Sequence, residues 1–410
     1  MSSLFAKPGW RAFRSPDFKF VYIARVASQM AAMMLDVAVG WLVYDVTGSA
    51  MFLGLAGLVA FLPVVLFILV VGNVADRYDR RNVLIVAMSV KFLASAALFA
   101  VASWPAPNVA IIFALLFTFG SARAFYQPTA QAITPALVPK DDFANAVGWN
   151  STAWQIASIG GPAIGGLLYA FGSSIVFGAT TLFCLIGLLA LTQVTSRKVP
   201  PRDKVTWAYL TAGFSYIWSR HIVLSVISID LFAVLLGGAT ALLPIYARDI
   251  FHTGPLGLGI LRSMPAIGAL TCSLVVLAYP IKRRAGLTML GAVAVFGAAT
   301  VGFGLSSNFW VAIPFLLLMG AGDMVSVVIR QTIVQIETPD DMRGRVSAAN
   351  SVFVGASNEL GAFESGALAS VTGAAGSVVL GGLGSILIAI IWGKIFPALR
   401  NRNELATPQK

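Results

Sequence analysis

The 410-residue sequence predicts an all-α membrane protein of about twelve transmembrane helices, arranged as two six-helix halves. Three observations lead there. First, 58% of the residues are hydrophobic and 11% charged, with a mean hydropathy of +0.84, more apolar surface than a water-soluble fold can hide. Second, basic residues collect in alternate connections. Third, the two halves of the chain carry the same polar and turn residues in register. The formal charge of +11 would suggest nucleic acid in a soluble protein, but the placement of the charges accounts for it here.

The spans read from the apolar runs are 19–44, 51–71, 82–103, 109–131, 144–170, 174–194, 222–246, 255–279, 286–305, 309–333, 346–371 and 375–397. One set of connections holds Lys7, Arg11 and Arg14, then Arg77, Arg80 and Arg81, then Lys140. It continues with Arg197, Lys198, Arg202 and Lys204, then Lys282, Arg283 and Arg284, then Arg343 and Arg345, then Arg400, Arg402 and Lys410. The opposite set holds only Arg248. By the positive-inside rule both termini are expected in the cytoplasm, which also requires an even number of spans. Met1–Pro16 passes straight into the first span with no small-residue cleavage site, so that span is expected to serve as its own insertion signal.

The longest connection runs from Thr195 to Arg220. Pro200 and Pro201 break it, and Trp207, Leu210, Phe214 and Trp218 follow at helical spacing. This predicts a linker over 195–221 with an amphipathic helix at the inner interface. The flanking domains are then 1–194 and 222–410. At an offset of 200, Gly120 pairs with Gly320, Gln131 with Gln331, Pro139 with Pro339, Asp141 with Asp341, Asn150 with Asn350 and Ser151 with Ser351. Gly161 and Gly166 likewise pair with Gly361 and Gly366. Parallel six-span repeats of this kind enclose a substrate site near the midplane in transporters.

Gly72–Arg81, G-N-V-A-D-R-Y-D-R-R, is a polar turn between two long apolar segments. It resembles the loop signature of the major facilitator superfamily at Gly72, Asp76, Arg77, Arg80 and Arg81, with Asp79 where that family usually has glycine. The resemblance implies a loop that latches the cytoplasmic face. The G-G-P-A-I-G-G run of the fifth span is similar, at Gly161, Pro162, Gly165 and Gly166, to the signature of proton-linked exporters in that superfamily. Its small residues are equally the pattern of ordinary close helix packing. The T-P-D-D-M-R-G-R-V-S-A-A-N-S and S-N-E-L-G-A-F-E-S-G stretches, with T-G-S-A at Thr47–Ala50, resemble the siderophore-exporter and drug:proton antiporter branch. That implies a small-molecule substrate, protons and the lipid bilayer as partners, a functional monomer in a bacterial inner membrane, and alternating access.

Charge inside a bilayer is costly, so each intramembrane ionisable group needs a reason. Asp36 lies about 26 Å along the first span from residue 19, and Arg25 precedes it by three turns on the same face. Asp36 is either the proton-coupling acid or a structural hydrogen-bonding group. Glu359 and Glu364, pointing about 140° apart in the eleventh span, are further proton-coupling candidates. In the resemblance the first, fourth, seventh and tenth spans line the cavity. Arg25, Arg123, Asp230, Asp323 and Arg330 are therefore substrate-cavity candidates. Arg123 and Asp323 occupy equivalent repeat positions with opposite charge and are expected either to face each other across the cavity, as substrate contacts or an inner gate, or to form a static pair; the alternative is that Arg330, seven residues on from Asp323, neutralises it locally. Lys91, in a third span read as peripheral, is expected to snorkel to the interface.

Other chemistries are disfavoured. His221, His252, Cys184 and Cys272 make no metal-ligand pattern. No G-x-x-x-x-G-K-[ST] loop is present for ATP, and no soluble domain offers a catalytic constellation, so neither cofactor nor enzyme activity is expected.

Overall fold

The computed structural model describes residues 8–195, 207–281, 283–340 and 342–403; the side chains of Pro8, Leu69, Ala75, Asp76 and residues 207–210 lie outside that description. The protein is 89% helical, with no strand among the described residues. The helices are α1 (Pro16–Thr47), α2 (Ala50–Leu66), α3 (Ile68–Arg77), α4 (Arg80–Ala102), α5 (Val109–Leu137), α6 (Phe143–Ala170) and α7 (Ser173–Thr192). They continue with α8 (Trp207–Ser219), α9 (His221–Leu236), the short α10 (Leu243–Ile245), α11 (Gly254–Ala278), α12 (Ala285–Gly304), α13 (Phe309–Glu337), α14 (Arg343–Ile395) and α15 (Pro397–Arg400). Among the described residues nine helical segments are long and apolar enough to cross a membrane, one of them the 30-residue stretch His221–Ile250.

Nine segments stand against twelve sequence spans because the second span is broken, the fifth, α6, falls short in hydropathy, and the eleventh and twelfth run together. The second span is broken at Phe67 into α2 and α3, four residues beyond Pro63, so neither piece alone reaches the spanning length. The eleventh and twelfth spans run together as α14, but Gly373 adopts φ +77° and divides them. A side chain there would be strained, so glycine marks the reversal. In the seventh span α9 stops at Gly237, and the chain continues through a 3₁₀ turn (Ala239–Leu242), α10 and a π turn (Tyr246–Ile250). The paired Gly237 and Gly238 explain the early stop.

The chain forms two compact units, 1–47 with 59–205 and 48–58 with 206–410. In the first, α1 packs on α6 and α7, α4 on α5 and α7, and α3 on α5. In the second, α9 packs on α14, α12 on α13 and α14, and α11 on α13. These are the same neighbours in the same order, as a duplicated sequence requires. The core of the second unit is aliphatic, built from Val223, Val226, Ile229, Met289, Ile333, Val346 and Ala389. The helix that the sequence places in the 195–221 linker, α8, is part of that core: Ile217 is sealed in it, and Phe214 meets Phe353 edge-on at 5.2 Å. Trp218 points outward.

The paired glycines explain how closely these helices approach. A methyl group at Gly120 would collide with the Ala60 carbonyl, and one at Gly320 with the Pro265 carbonyl. Both sites bring the fourth helix of a unit against its second. Gly320→Ala is expected to force α13 off α11 and destabilise the protein by about 1–3 kcal/mol, read as a lower unfolding midpoint in detergent. Gly148→Ala, where nothing lies within 4 Å, is the control expected to leave the midpoint unchanged.

Candidate functional site

The polar residues of the first unit gather in two places. At the end of α1 nearer the basic loops, a cavity of about 510 Å³ is lined by Arg25, Gln29, Gln127, Gln131, Asn150 and Gln155, with Trp154 on its wall. Arg25 is 5% exposed and its Nη2 donates to the Ala130 carbonyl and, at 3.4 Å, to Thr134 Oγ1. Asn150 reaches the same hydroxyl at 3.4 Å. Arg25 Nε and Gln29 Oε1 are buried without a partner among the described residues. The lining contains one arginine and several amides but no carboxylate, so the cavity carries an uncompensated positive charge. Such a site suits an anionic or acceptor-rich group.

Farther along α1, Asp36 is exposed and makes no hydrogen bond or ion pair with a described residue. Around it the glycines of the fifth span pack tightly: Gly161 abuts Met33, and Gly165 lies against the Met34 backbone. The G-G-P-A-I-G-G run therefore sets how closely α6 approaches the turn of α1 that precedes Asp36. Arg123 on α5 is half-buried, again with no hydrogen bond to a described residue. Lys91 corrects the sequence expectation. Instead of snorkelling it is 1% exposed, its Nζ donates to Ser28 Oγ at 2.7 Å, and it sits over the rings of Tyr126 (4.7 Å) and Phe119 (5.2 Å). One sequence signal could have found it: Leu84, Met88, Lys91, Ser95 and Leu98 form one helical stripe, and that stripe is the buried face of α4.

The second unit handles charge differently. Asp230 on α9 and Arg330 on α13 form a salt bridge with both side chains 5% exposed. Asp323, half-buried, shares a small cavity with Asp230 and Ser326. The structure thus brings Asp230, Asp323 and Arg330 together. The sequence had paired Arg330 with Asp323, but its direct hydrogen-bond partner is Asp230. In each unit a buried arginine ties the first helix to the fourth, carried by α1 in the first and by α13 in the second. On α14, Glu359 lies beside Gly57 of α2, while Glu364 has a buried oxygen without a partner among the described residues.

The basic loop is stapled by its arginines. Asp79 caps α4 by accepting from the Arg81 amide at 2.9 Å, with φ −56°, so glycine is not needed there. Arg80 donates to the Ala132 carbonyl and Arg81 to the Thr192 carbonyl, each at 2.8 Å. Each arginine therefore sits at or near a helix C-terminus, where carbonyls favour a cation. Gly72 ends no helix, lying inside α3, and Arg77 is exposed; the side chain of Asp76 lies outside the described residues.

Residues 7–408 match the family described as transmembrane secretion effector, within the major facilitator superfamily. The chain belongs to that family. The transporter is 27% identical over 392 residues to an enterobactin exporter of Escherichia coli O1:K1 / APEC, covering 94% of this chain and 93% of that one. It is 24% identical over 391 residues to macrolide efflux protein A of Streptococcus pyogenes, covering 91% and 94%. Its fold matches a bacterial homologue of the human lysosomal transporter Spinster, inward-facing and occupied, with a TM-score of 0.75 at 13% identity over 98% of this chain and all of that one. A POT family transporter in complex with 5-aminolevulinic acid gives 0.73 at 11% identity, covering 93% and 96%. The transporter is thus a multi-pass membrane protein that moves small molecules, and not an enzyme.

Breaking the buried pair of the second unit should be costly. Arg330→Met is expected to leave Asp230 as an unpaired buried charge and to destabilise the transporter by about 3–5 kcal/mol. The Asp230→Asn, Arg330→Met double variant is expected to recover most of that loss, both read from unfolding midpoints in detergent.

Proposed function

We propose that the protein is a proton-driven exporter of a small anionic metabolite, of the siderophore type, working by alternating access. It acts as a monomer in a bacterial inner membrane with both termini in the cytoplasm. The observation that carries the reading is Asp36, an exposed carboxylate without a partner among the described residues, on a helix whose other buried surface is apolar apart from Asp17, Arg25, Ser28 and Gln29. A charge kept unneutralised in such a helix has a use, and exchanging a proton is the simplest. Each proton crossing with the membrane potential supplies about 2.3 kcal/mol per 100 mV. Glu359 and Glu364 are the reserve acids. Glu364 is the better placed of the two by its orphaned oxygen.

An anionic cargo is supported by the cavity around Arg25, with its amides and without an acid. Arg123 and the Asp323–Asp230–Arg330 cluster are further cavity groups in this reading, and the Gly72–Arg81 loop is the cytoplasmic latch. The similarity to an enterobactin exporter agrees with that cargo. A second reading, efflux of macrolides or other lipophilic drugs by the same cycle, is favoured by the comparable identity to macrolide efflux protein A.

Both readings are tested in proteoliposomes with an imposed proton gradient, using iron-free enterobactin and erythromycin as probes. Asp36→Asn is expected to abolish gradient-driven transport while substrate counterflow, which needs no net proton movement, persists. Undiminished driven transport in that variant would remove Asp36 from the mechanism. Absence of both driven transport and counterflow in the wild type would point to a protein that does not cycle. Arg25→Gln is expected to weaken binding of the anionic probe about tenfold, the size of one charge-assisted hydrogen bond, and to leave erythromycin unaffected. The reverse pattern would favour the drug pump.

A further inference from the structure

A second cavity, of about 710 Å³, lies in the second unit between the end of α13 and the start of α14. It repeats the cavity around Arg25: Gln331, Asn350 and Ser351 line it where Gln131, Asn150 and Ser151 line the first, at the offset of 200. Around these shared groups the two cavities differ. Phe143 and Val147 of the first are Arg343 and Ser347 in the second, and Pro135 and Val138 give way to Gln335 and Thr338. Four positions without a side-chain donor in one unit thus hold a guanidinium, two hydroxyls and an amide in the other.

Thr338 lines the cavity and is 2% exposed, yet its Oγ1 has no partner among the described residues, and Asn350 Oδ1 is likewise buried and unmatched. A buried polar atom left so is costly unless something binds it. The lining also includes the first turn of α14, at Arg343 and Gly344, and no side chain caps that helix at Met342. A helix start presents amide N–H groups and the positive end of the helix dipole, the elements of an anion site. Among the described residues no carboxylate lines the cavity. Glu337, at the end of α13, is paired with Arg402 at 2.8 Å, and Asp340 with Arg343 itself at 2.7 Å. Both side chains of that second pair are exposed, where an ion pair contributes little and is readily exchanged for another.

We propose that this cavity is a binding site for a phosphate group, carried by an anionic phospholipid headgroup or by a small phosphate ester. A tetrahedral phosphate has oxygens for the start of α14, for the Arg343 guanidinium and for the hydroxyls of Thr338 and Ser347 together, more acceptors than a carboxylate can offer. The Asn350 oxygen then meets a hydroxyl of the group that carries the phosphate, as a glycerophosphate provides. Bound there, the phosphate supplies the cap that α14 lacks and ties its start to the end of α13. Arg343 belongs to one of the basic connections, which lie where a membrane presents its phosphate headgroups. The first cavity draws its cation from α1 and the second from the start of α14, so the two need not share a ligand. The site is independent of the exporter reading.

The test uses the purified full chain and reads its unfolding midpoint with two kinds of probe. In detergent, inorganic phosphate and glycerol phosphate are compared with chloride at equal ionic strength. In nanodiscs, phosphatidylcholine containing phosphatidylglycerol is compared with phosphatidylcholine alone. A higher midpoint with a soluble probe identifies a free phosphate as the ligand, and a higher midpoint with phosphatidylglycerol alone identifies the lipid headgroup. In either case Arg343→Gln and Thr338→Val are each expected to need about tenfold more probe for the same shift, the size of one charge-assisted hydrogen bond. Thr338→Ser, which keeps the hydroxyl, is expected to respond as the wild type does. Ser347→Val, at an exposed position, replaces Thr338→Val should that variant not purify. Arg25→Gln is expected to leave the response intact. No response of the wild type to either kind of probe overturns the proposal. So does a response that survives Arg343→Gln or Thr338→Val undiminished, or one lost in Arg25→Gln, which would place it in the first cavity.

Discussion

A polar group inside hydrocarbon has no water to bond to, and many buried polar side chains among the described residues answer that constraint with a partner. Hydroxyls on the helices turn back to a carbonyl three or four residues earlier, as Thr180 does to Val176 at 2.9 Å and Ser263 to Gly259 at 2.8 Å. Buried arginines find a carbonyl or a carboxylate on a neighbouring helix. Trp392 donates to Ser228 at 2.9 Å across α14 and α9. Among the described residues the exceptions include a cavity whose Arg25 and Gln29 each keep an unused atom, the orphaned oxygens of Ser326, Thr338, Asn350 and Glu364, and an exposed Asp36.

Duplication gave both units one scaffold, and their charges then diverged. The glycine contacts and the order of helix neighbours are shared. Equivalent positions hold Arg123 in one unit and Asp323 in the other. Position 330 is an arginine bonded to Asp230, while position 130 is an alanine whose carbonyl receives Arg25. The same helix-to-helix tie is therefore made with opposite donors. The repeat preserves backbone geometry and leaves side-chain chemistry free to specialise.

The spans were legible in the sequence because lipid demands long apolar runs, and each of the twelve overlaps a helical segment. Their breaks were partly legible: Gly373 lies between the eleventh and twelfth predicted spans, but the breaks at Phe67 and Gly237 are set by Pro63 and by paired glycines inside apolar runs that hydropathy reads as continuous. The candidate site was legible as a set of charged residues and not as a set of pairs. Sequence spacing joined Arg330 to Asp323 on one helix face, whereas the shorter contact crosses to Asp230 on another helix. Lys91 was misread because a lone lysine in an apolar run satisfies two rules, snorkelling and burial. The buried stripe of α4 decides between them.

The identity of each buried cation follows from what its site requires. Arg330 faces a carboxylate with which its rigid guanidinium forms a fixed pair, and because it stays charged the pair stays closed. A lysine there would be free to neutralise and leave Asp230 alone. Lys91 faces only a hydroxyl and two aromatic rings, a setting that accepts an ammonium or an amine. The second unit thus holds a permanent charge pair that locks α9 to α13. The first unit holds its buried lysine by a hydroxyl of α1 and two ring faces of α5, so that tie carries no second charge. The same scaffold thus ties its helices with a charge pair in one unit and with a lone cation in the other.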